Sequence, residues 1–181
     1  MTINAHAPPF ADRVALVTGG SRGIGKAVCE LLAQNGAKVA INYHENEIAA
    51  RTVLDAVRSE SSDGMIVQAD VAAPRDVACM IDRVRKRLGE IDFLVNNAGI
   101  SSSVSHNELD FDVWKRNFAV NIDGPFLTTW AVKDAMINRR FGRIVNVSSL
   151  ASFVFKKEMI HYATAKAAVI AFTRHCSQAL A

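Results

Sequence analysis

The chain has 181 residues, half of them hydrophobic, and a formal net charge of only +3 at pH 7. This length corresponds to about one domain, and the apolar fraction excludes a disordered or collagen-like chain. Scattered basic residues give no support to nucleic-acid binding or to a membrane-surface role, and no apolar run approaches the ~18 residues of a membrane span.

The cysteines and the N-terminal residues carry no signal for disulfides, metal binding or export. Cys29, Cys79 and Cys176 are odd in number and far apart, so we expect neither a disulfide framework nor a metal ion. Residues 1–12 contain two prolines, no lysine or arginine and no apolar run, so we expect a flexible N-terminal arm and not a signal peptide. A cytoplasmic, reducing location is the default expectation.

Short apolar runs alternate along the chain with amphipathic stretches, and this alternation is typical of an α/β fold. The predicted strands are residues 14–18, 38–42, 65–69, 91–95 and 143–147. The predicted helices are residues 24–35, 45–60, 74–88, 111–139 and a last one that begins near residue 160. Each crossover is long enough for a helix, so residues 13–181 are predicted to form a Rossmann-type, doubly wound parallel sheet of about five strands.

A glycine-rich turn, TGGSRGIG at residues 18–25, lies between the first predicted strand and the first predicted helix. Glycines permit a tight turn and a close approach of the backbone to a pyrophosphate, and the helix N-terminus offers free N–H groups to phosphates. The spacing G-x-x-x-G-x-G is a weak signal alone, but its position strengthens it. The candidate cofactor contacts in this turn are Gly19, Ser21, Arg22, Gly23, Ile24 and Gly25.

The end of the second predicted strand bears on the choice between NAD(H) and NADP(H). An acidic residue there bonds the ribose 2′-hydroxyl of NAD(H), whereas a basic neighbourhood accommodates a 2′-phosphate. Here the segment reads Asn42, Tyr43 and His44, without an acid, and Arg22 adds a cation. The sequence therefore favours NADP(H), with a surface arginine beside a neutral loop as the alternative.

A tyrosine and a lysine four residues apart are predicted to lie on one face of the last helix. The pair is Tyr162 and Lys166, and a nearby ammonium stabilises a phenolate, which suits a tyrosine that donates a proton. Ser148 and Ser149 follow the fifth strand, at the sheet edge where ligands of open α/β sheets gather. Because Y-x-x-x-K is common, a solvated tyrosine and a surface lysine are the alternative interpretation.

Taken together, these motifs resemble the classical short-chain dehydrogenase/reductase family. They occur in the family's order and spacing across residues 13–181. The matching motifs are TGGSRGIG at 18–25, Asp70-Val71, NNAG at 96–99, Asn121, Ser149 and YATAK at 162–166. The resemblance implies a nicotinamide-dependent oxidoreductase.

The resemblance also implies a role for each catalytic position. Tyr162 would be the general acid/base that protonates the carbonyl oxygen as hydride arrives from the nicotinamide. Lys166 would favour ionised Tyr162 and hold the nicotinamide ribose, and Ser149, the better-spaced of the two serines, would hydrogen-bond the substrate oxygen. Asn121 would distort its helix locally and anchor a water that relays protons from Lys166.

The remaining matched positions are implied to contact the cofactor. Asp70 would bind the adenine amino group, with Val71 packed on the ring. The loop formed by Asn97, Ala98 and Gly99 would line the cofactor with its backbone.

The sequence segments RGIG, NNAGI and GRIVNVSS most resemble those of 3-oxoacyl-(acyl-carrier-protein) and acetoacetyl-CoA reductases. The resemblance therefore implies NADPH-dependent reduction of a 3-oxoacyl thioester, with another small ketone or alcohol as the alternative. Lys156 and Lys157 could attract an acidic carrier or CoA phosphates, although a solvated loop explains them too. The resemblance further implies a homodimer or homotetramer formed through the two long helices.

The C-terminal residues bear on whether the predicted dinucleotide-binding fold is complete. A complete dinucleotide-binding fold has about six strands, whereas five are predicted here, and the last helix has no stop signal. We therefore expect that the C-terminal part is missing and that the fifth strand forms an exposed edge. A catalytically silent fragment that binds nucleotide or only oligomerises is the alternative to an active enzyme.

Overall fold

The computed structural model describes residues 8–60 and 62–181, and five parallel strands form one sheet within them. The strands are β1 (Val14–Val17), β2 (Lys38–Tyr43), β3 (Gly64–Gln68), β4 (Phe93–Asn96) and β5 (Arg143–Asn146). Their order across the sheet is β3-β2-β1-β4-β5. The predicted Rossmann-type sheet of five strands is thus confirmed, and β5 lies at an edge as expected.

Within the described residues, six α-helices connect or follow the strands. They are α1 (Gly23–Gln34), α2 (Glu47–Ser59), α3 (Pro74–Leu88), α4 (Phe111–Phe118), α5 (Gly124–Arg139) and α6 (Ile160–Ala179). A π-helical segment, Ala119–Asp123, joins α4 to α5, and short 3₁₀ turns occupy Leu150–Ser152 and Lys157–Met159. The predicted helix over residues 111–139 is therefore correct in extent but interrupted.

Apolar side chains of β1 alternate between two hydrophobic clusters, one on each face of the sheet. Val14 and Leu16 pack with buried residues of α3 and α5, whereas Ala15 and Val17 pack with those of α1 and α2. All four residues are nearly inaccessible to water. Because a central parallel strand is buried on both faces, it reads as a continuous apolar run in the sequence.

A ladder of polar side chains ties β4 and β5 to the helices beside them. Thr128 Oγ1 donates to Asn96 Oδ1 (2.7 Å), and Asn96 Nδ2 donates to Asn146 Oδ1 (2.8 Å). Asn146 Nδ2 in turn donates to Thr173 Oγ1 on α6 (2.9 Å). Since buried polar groups are costly when unpaired, this ladder fixes the lateral position of α5 and α6 against the sheet.

The strand order reverses between β1 and β4. The chain moves outward from β1 to β3 on one side and continues from β4 to β5 on the other. In open α/β sheets the crevice at such a reversal, outside the carboxyl ends of the strands, is the usual ligand site. The glycine-rich turn after β1 and the loop after β4 both leave the sheet there.

The predicted N-terminal arm lies partly outside the described residues, which begin at Pro8. Within them, Phe10 N donates to Asn35 O (2.9 Å), and the Phe10 ring packs edge-on against Phe93 at a centroid distance of 5.1 Å. Phe10 is thus partly buried beside β4, and the flexible arm over residues 1–12 stays a prediction. In the described ranges, no helix has the length and apolar character needed to cross a bilayer.

Candidate active site

The glycine-rich turn brings bare backbone against the loop that follows β4. Gly19 has φ +62°, and a Cβ there would lie 2.9 Å from Ala98 Cα. A Cβ on Gly25 would meet the Gly19 carbonyl oxygen and, at 2.6 Å, Asn97 Nδ2. Side chains at these two positions would push the turn away from the loop, so the close approach requires glycine.

Thr18 and Asn97 clasp the turn and the β4 loop together. Asn97 Nδ2 donates to the carbonyl oxygens of Thr18 (2.9 Å) and Gly19 (3.1 Å). Thr18 Oγ1 accepts from the backbone N–H groups of Asn97 and Ala98, both at 3.0 Å. Thr18, the first residue of the glycine motif, was not among the predicted site residues.

The N-terminus of α1 is open to an anion. Arg22 precedes the helix, and the first turn holds no acidic residue and no side-chain cap among the residues described. Arg22, Gly23 and Ile24 are exposed, and a Cβ on Gly23 would meet nothing within 4 Å. Unpaired N–H groups and the helix dipole make such an end favourable for phosphate.

The three residues predicted to contact the cofactor at the end of β2 differ in exposure. Asn42 is buried: its Oδ1 accepts from Gly19 N (3.2 Å) and its Nδ2 donates to Ala69 O (3.1 Å). Tyr43 is also buried, as the last residue of β2. These two side chains are buried, whereas His44 is exposed, and cofactor contact at all three positions stays a prediction.

Asp70 follows β3 and lies within reach of two basic side chains. Its Oδ1 accepts from Ala72 N (2.9 Å), its Oδ2 accepts from Arg116 Nη1 (3.0 Å), and His44 Nε2 lies 3.9 Å from Oδ2. Partial burial works to raise the pKa of Asp70, but these hydrogen bonds and the Arg116 charge outweigh it and lower that pKa. The next residue, Val71, is buried against Gly124 at the start of α5.

Lys166 is almost fully buried, with 4% of its surface exposed. Its Nζ donates to the carbonyl of Val147 (2.9 Å) and lies 5.9 Å from the centroid of the Tyr162 ring. A Cβ on Gly99 would lie 3.4 Å from Lys166 Nζ and 2.8 Å from Asn121 Oδ1. Both polar atoms therefore face the space beside Gly99. Burial lowers the pKa of Lys166.

Asn121 lies in the π-helical segment, where the predicted local distortion of the helix is present. Its Nδ2 donates to Ile100 O (2.8 Å) and to Asn117 O (3.1 Å), the carbonyl four residues earlier. A side chain that takes this carbonyl competes with the regular helical bond and favours a wider turn. Its Oδ1 is buried and has no hydrogen-bond partner among the described residues.

The two serines after β5 differ in how their hydroxyl groups are used. Ser148 Oγ donates to the carbonyl of Lys166 (2.8 Å), which commits its proton to the backbone of α6. Ser149 Oγ instead accepts from Ala151 N (3.1 Å) at the start of a 3₁₀ turn. The Ser149 proton therefore stays available for a ligand, and that of Ser148 does not.

A buried histidine beside Tyr162 was missed in the sequence. His161 has no exposed surface, and its Nε2 lies 3.2 Å from Ser102 Oγ in the loop after β4. The signal was present, because His161, Ala165 and Val169 share one helical face and all three are buried. Over residues 8–60 and 62–181, no group of three or more His, Cys, Asp or Glu side chains is arranged to hold a metal ion.

The chain is similar in sequence to a known protein family and to characterised relatives. Residues 13–181 match the family model described as short chain dehydrogenase. The chain is 38% identical over 169 residues to a 3-oxoacyl-[acyl-carrier-protein] reductase of Synechocystis sp., covering 93% of this chain and 68% of that protein. It is 36% identical over 167 residues to an acetoacetyl-CoA reductase of Allochromatium vinosum, covering 92% of this chain and 68% of that protein.

Among solved structures, an NAD⁺-bound xylitol dehydrogenase superimposes with a TM-score of 0.89 at 32% identity. The match covers 95% of this chain and 66% of that one. The fold is thus shared with a known dehydrogenase.

Proposed function

Because the chain belongs to the short-chain dehydrogenase family, we propose that it uses NADPH to reduce a ketone to an alcohol, with a 3-oxoacyl thioester as substrate. One observation carries the proposal. The buried ammonium of Lys166 faces the space beside Gly99, next to Tyr162 on α6, and so does Asn121 Oδ1, which has no hydrogen-bond partner among the described residues. Such a charged, pre-arranged site is expected of proton transfer and not of packing.

The residues present fit a nicotinamide dinucleotide. The open N-terminus of α1, with Ser21 to Gly25, would hold the pyrophosphate, since it lacks an acidic side chain and a cap among the residues described. Asp70, with Val71, would bind the adenine, and the backbone of Asn97, Ala98 and Gly99 would line the cofactor. When bound, the cofactor supplies the hydride.

The chain's own residues would supply the proton. Tyr162 would donate its phenolic proton to the substrate carbonyl oxygen, while Ser149 donates a hydrogen bond to the same oxygen. The Lys166 ammonium would stabilise the resulting phenolate and hold the ribose with the N–H groups that Val147 does not use. Asn121 Oδ1 would bind a water that returns a proton through Lys166, which would satisfy its missing hydrogen bond.

The preference for NADP(H) rests on Arg22 and His44. Both are exposed, and no acidic residue closes β2. Arg22 and His44 would therefore flank a ribose 2′-phosphate. Replacing His44→Asp should lower NADPH affinity at least tenfold and raise NADH affinity, as measured by cofactor fluorescence titration. Glu45→Gln, which removes the neighbouring exposed carboxylate, is the matched control; equal effects of both changes would contradict this preference.

The substrate class rests on the curated relatives, which are named for 3-oxoacyl and acetoacetyl thioesters. The test is consumption of NADPH, followed at its nicotinamide absorbance, with acetoacetyl-CoA and with a generic diketone. A higher kcat/KM with acetoacetyl-CoA than with the diketone supports a thioester substrate. A higher kcat/KM with the diketone points to another small ketone. Cofactor binding without consumption of NADPH on either substrate would contradict the enzymatic proposal and favour a silent nucleotide-binding protein.

We also propose that the chain forms a homo-oligomer through α5 and α6. Phe126 and Trp130 are more than 40% exposed, and both rings lie within 6.5 Å of the Phe172 ring on α6. Such an aromatic patch is typical of an interface. Light scattering should give at least twice the monomer mass, and Trp130→Glu should lower it; a monomeric wild type would contradict this proposal.

A further inference from the structure

We propose that His161 and Ser102 form a substrate-positioning pair beside Tyr162. His161 would act through Ser102, whose hydroxyl would contact the substrate. The inference rests on the proposed function, because it assigns a further contact to the same site. It is carried by a partly buried hydrogen bond between α6 and the segment of residues 100–104, here named the Ser102 loop.

The hydrogen-bond partners of His161 define the direction of this bond. Nε2 lies 3.2 Å from Ser102 Oγ, and Nδ1 is buried without a partner among the described residues. If Nδ1 carried the proton, a buried N–H donor would be left unpaired, which costs more than an unpaired acceptor. Because the unpaired acceptor costs less, we place the proton on Nε2. His161 donates and Ser102 Oγ accepts.

This direction leaves the proton of the Ser102 hydroxyl free. A hydroxyl that accepts from one side can still donate from the other. Ser102 is exposed, whereas His161 is fully buried, so the histidine lies on the protein side of the bond and the free proton on the open side. The pair thus presents one oriented donor at the protein surface.

The Ser102 loop is fixed next to the catalytic positions. Its first residue, Ile100, accepts from Asn121 Nδ2 (2.8 Å), and its last residue, Val104, donates its N–H to Glu158 O (2.9 Å). The Ser102–His161 bond is the middle anchor between these two. Gly99, beside Lys166 and Asn121, directly precedes the loop, so the segment that holds Ser102 starts next to the site.

The chemistry of the donor indicates what it would recognise. A neutral hydroxyl donor beside the reacting ketone suits a second carbonyl oxygen on the substrate, such as the thioester carbonyl of a 3-oxoacyl group. The contact would be made in the ground state and in the transition state alike, so its loss is expected to raise KM and not to lower kcat.

The experiment compares four variants of the whole chain with acetoacetyl-CoA and NADPH. Ser102→Ala and His161→Asn should raise KM for the ketone about 3- to 10-fold, with kcat within about twofold of wild type. His161→Gln should stay near wild type, because its amide can donate from about the position of Nε2. Ser103→Ala, which removes an exposed hydroxyl from the same loop, is the matched control and should change neither constant.

Hydrogen exchange of the loop amides, measured without substrate, gives a readout that does not depend on turnover. His161→Asn should speed exchange over residues 100–104, and His161→Gln should restore the wild-type rate. Wild-type KM in both Ser102→Ala and His161→Asn, or an equal rise in KM in Ser103→Ala, would overturn the inference. If the proposed function is wrong, the wild-type chain shows no turnover. In that case, unchanged hydrogen exchange in His161→Asn would overturn the anchoring of the Ser102 loop by His161, and faster exchange would support it.

Discussion

Lys166 Nζ donates a 2.9 Å hydrogen bond to the carbonyl of Val147, the first residue after β5. In return, the Lys166 carbonyl accepts from Ser148 Oγ (2.8 Å). These two bonds lock α6 to the end of β5 and hold the ammonium in place beside Gly99. Because burial lowers the pKa of Lys166, the fold maintains this charge against a desolvation cost, which is typical of a functional site.

Lys166→Met should separate stability from activity. The variant loses the ammonium that would stabilise the Tyr162 phenolate, so kcat should fall by at least about 100-fold. Its free energy of unfolding in urea at neutral pH should stay within about 1 kcal/mol of wild type, since removal of the buried charge offsets the lost bond to Val147. Lys115→Met, at an exposed ion pair on α4, is the control. A strong loss of stability in Lys166→Met would contradict this account of the site.

Thr128→Val should destabilise the fold through the polar ladder. Thr128 is fully buried, and its removal leaves Asn96 Oδ1 without the 2.7 Å donor. We expect the free energy of unfolding to fall by about 1–3 kcal/mol, measured by urea denaturation. Thr52→Val removes an exposed threonine that bonds the carbonyl of Ile48 (3.1 Å), and it should cost less than about 0.5 kcal/mol. Equal costs for both variants would show that the ladder adds nothing.

Gly99→Ala should damage catalysis more than folding. The new methyl group would lie 2.8 Å from Asn121 Oδ1 and 3.4 Å from Lys166 Nζ, in the space proposed for the relay water. Moving the Asn121 or Lys166 side chain aside for this methyl group is expected to lower kcat/KM about 100-fold. The thermal midpoint should stay close to that of wild type, because Gly99 is exposed. Wild-type kcat/KM in this variant would remove Asn121 and Lys166 from the proposed mechanism.

Asp70→Asn should change how stability depends on pH. The pKa of Asp70 is lowered in the folded protein, so its carboxylate contributes stability above the unfolded pKa of about 3.9. That contribution is lost as pH falls through the lowered, folded pKa. The difference in unfolding free energy between wild type and Asp70→Asn should therefore be constant above about pH 5 and shrink below about pH 4. A difference in unfolding free energy that increases as pH falls would contradict the ion pair of Asp70 with Arg116.

The sequence was most informative where local signals and burial agree. Strands β1, β2 and β4 are apolar because they are buried on both faces, so their predicted bounds differ by at most two residues. Helix α3 begins at Pro74 and ends before Gly89 (φ +109°), as the proline and the glycine indicate.

Long-range polar contacts explain what the sequence alone did not show. Asn42 lies in β2, and its buried amide links this strand to Gly19 in the turn after β1 and to Ala69 after β3. The partner of His161 is Ser102, far away in the chain, and only the folded sheet brings them together. Helical periodicity also misses the π-helical segment, because its cause includes the bond from Asn121 to Ile100.

The most direct test of the central claim is turnover by Tyr162→Phe. This change removes the one hydroxyl that is proposed to protonate the substrate and leaves the glycine-rich turn and Lys166 in place. We predict that NADPH consumption with acetoacetyl-CoA falls by at least about 100-fold while NADPH affinity, measured by fluorescence, changes less than about threefold. Turnover by Tyr162→Phe at a rate comparable to wild type would contradict the assignment of Tyr162 as the proton donor.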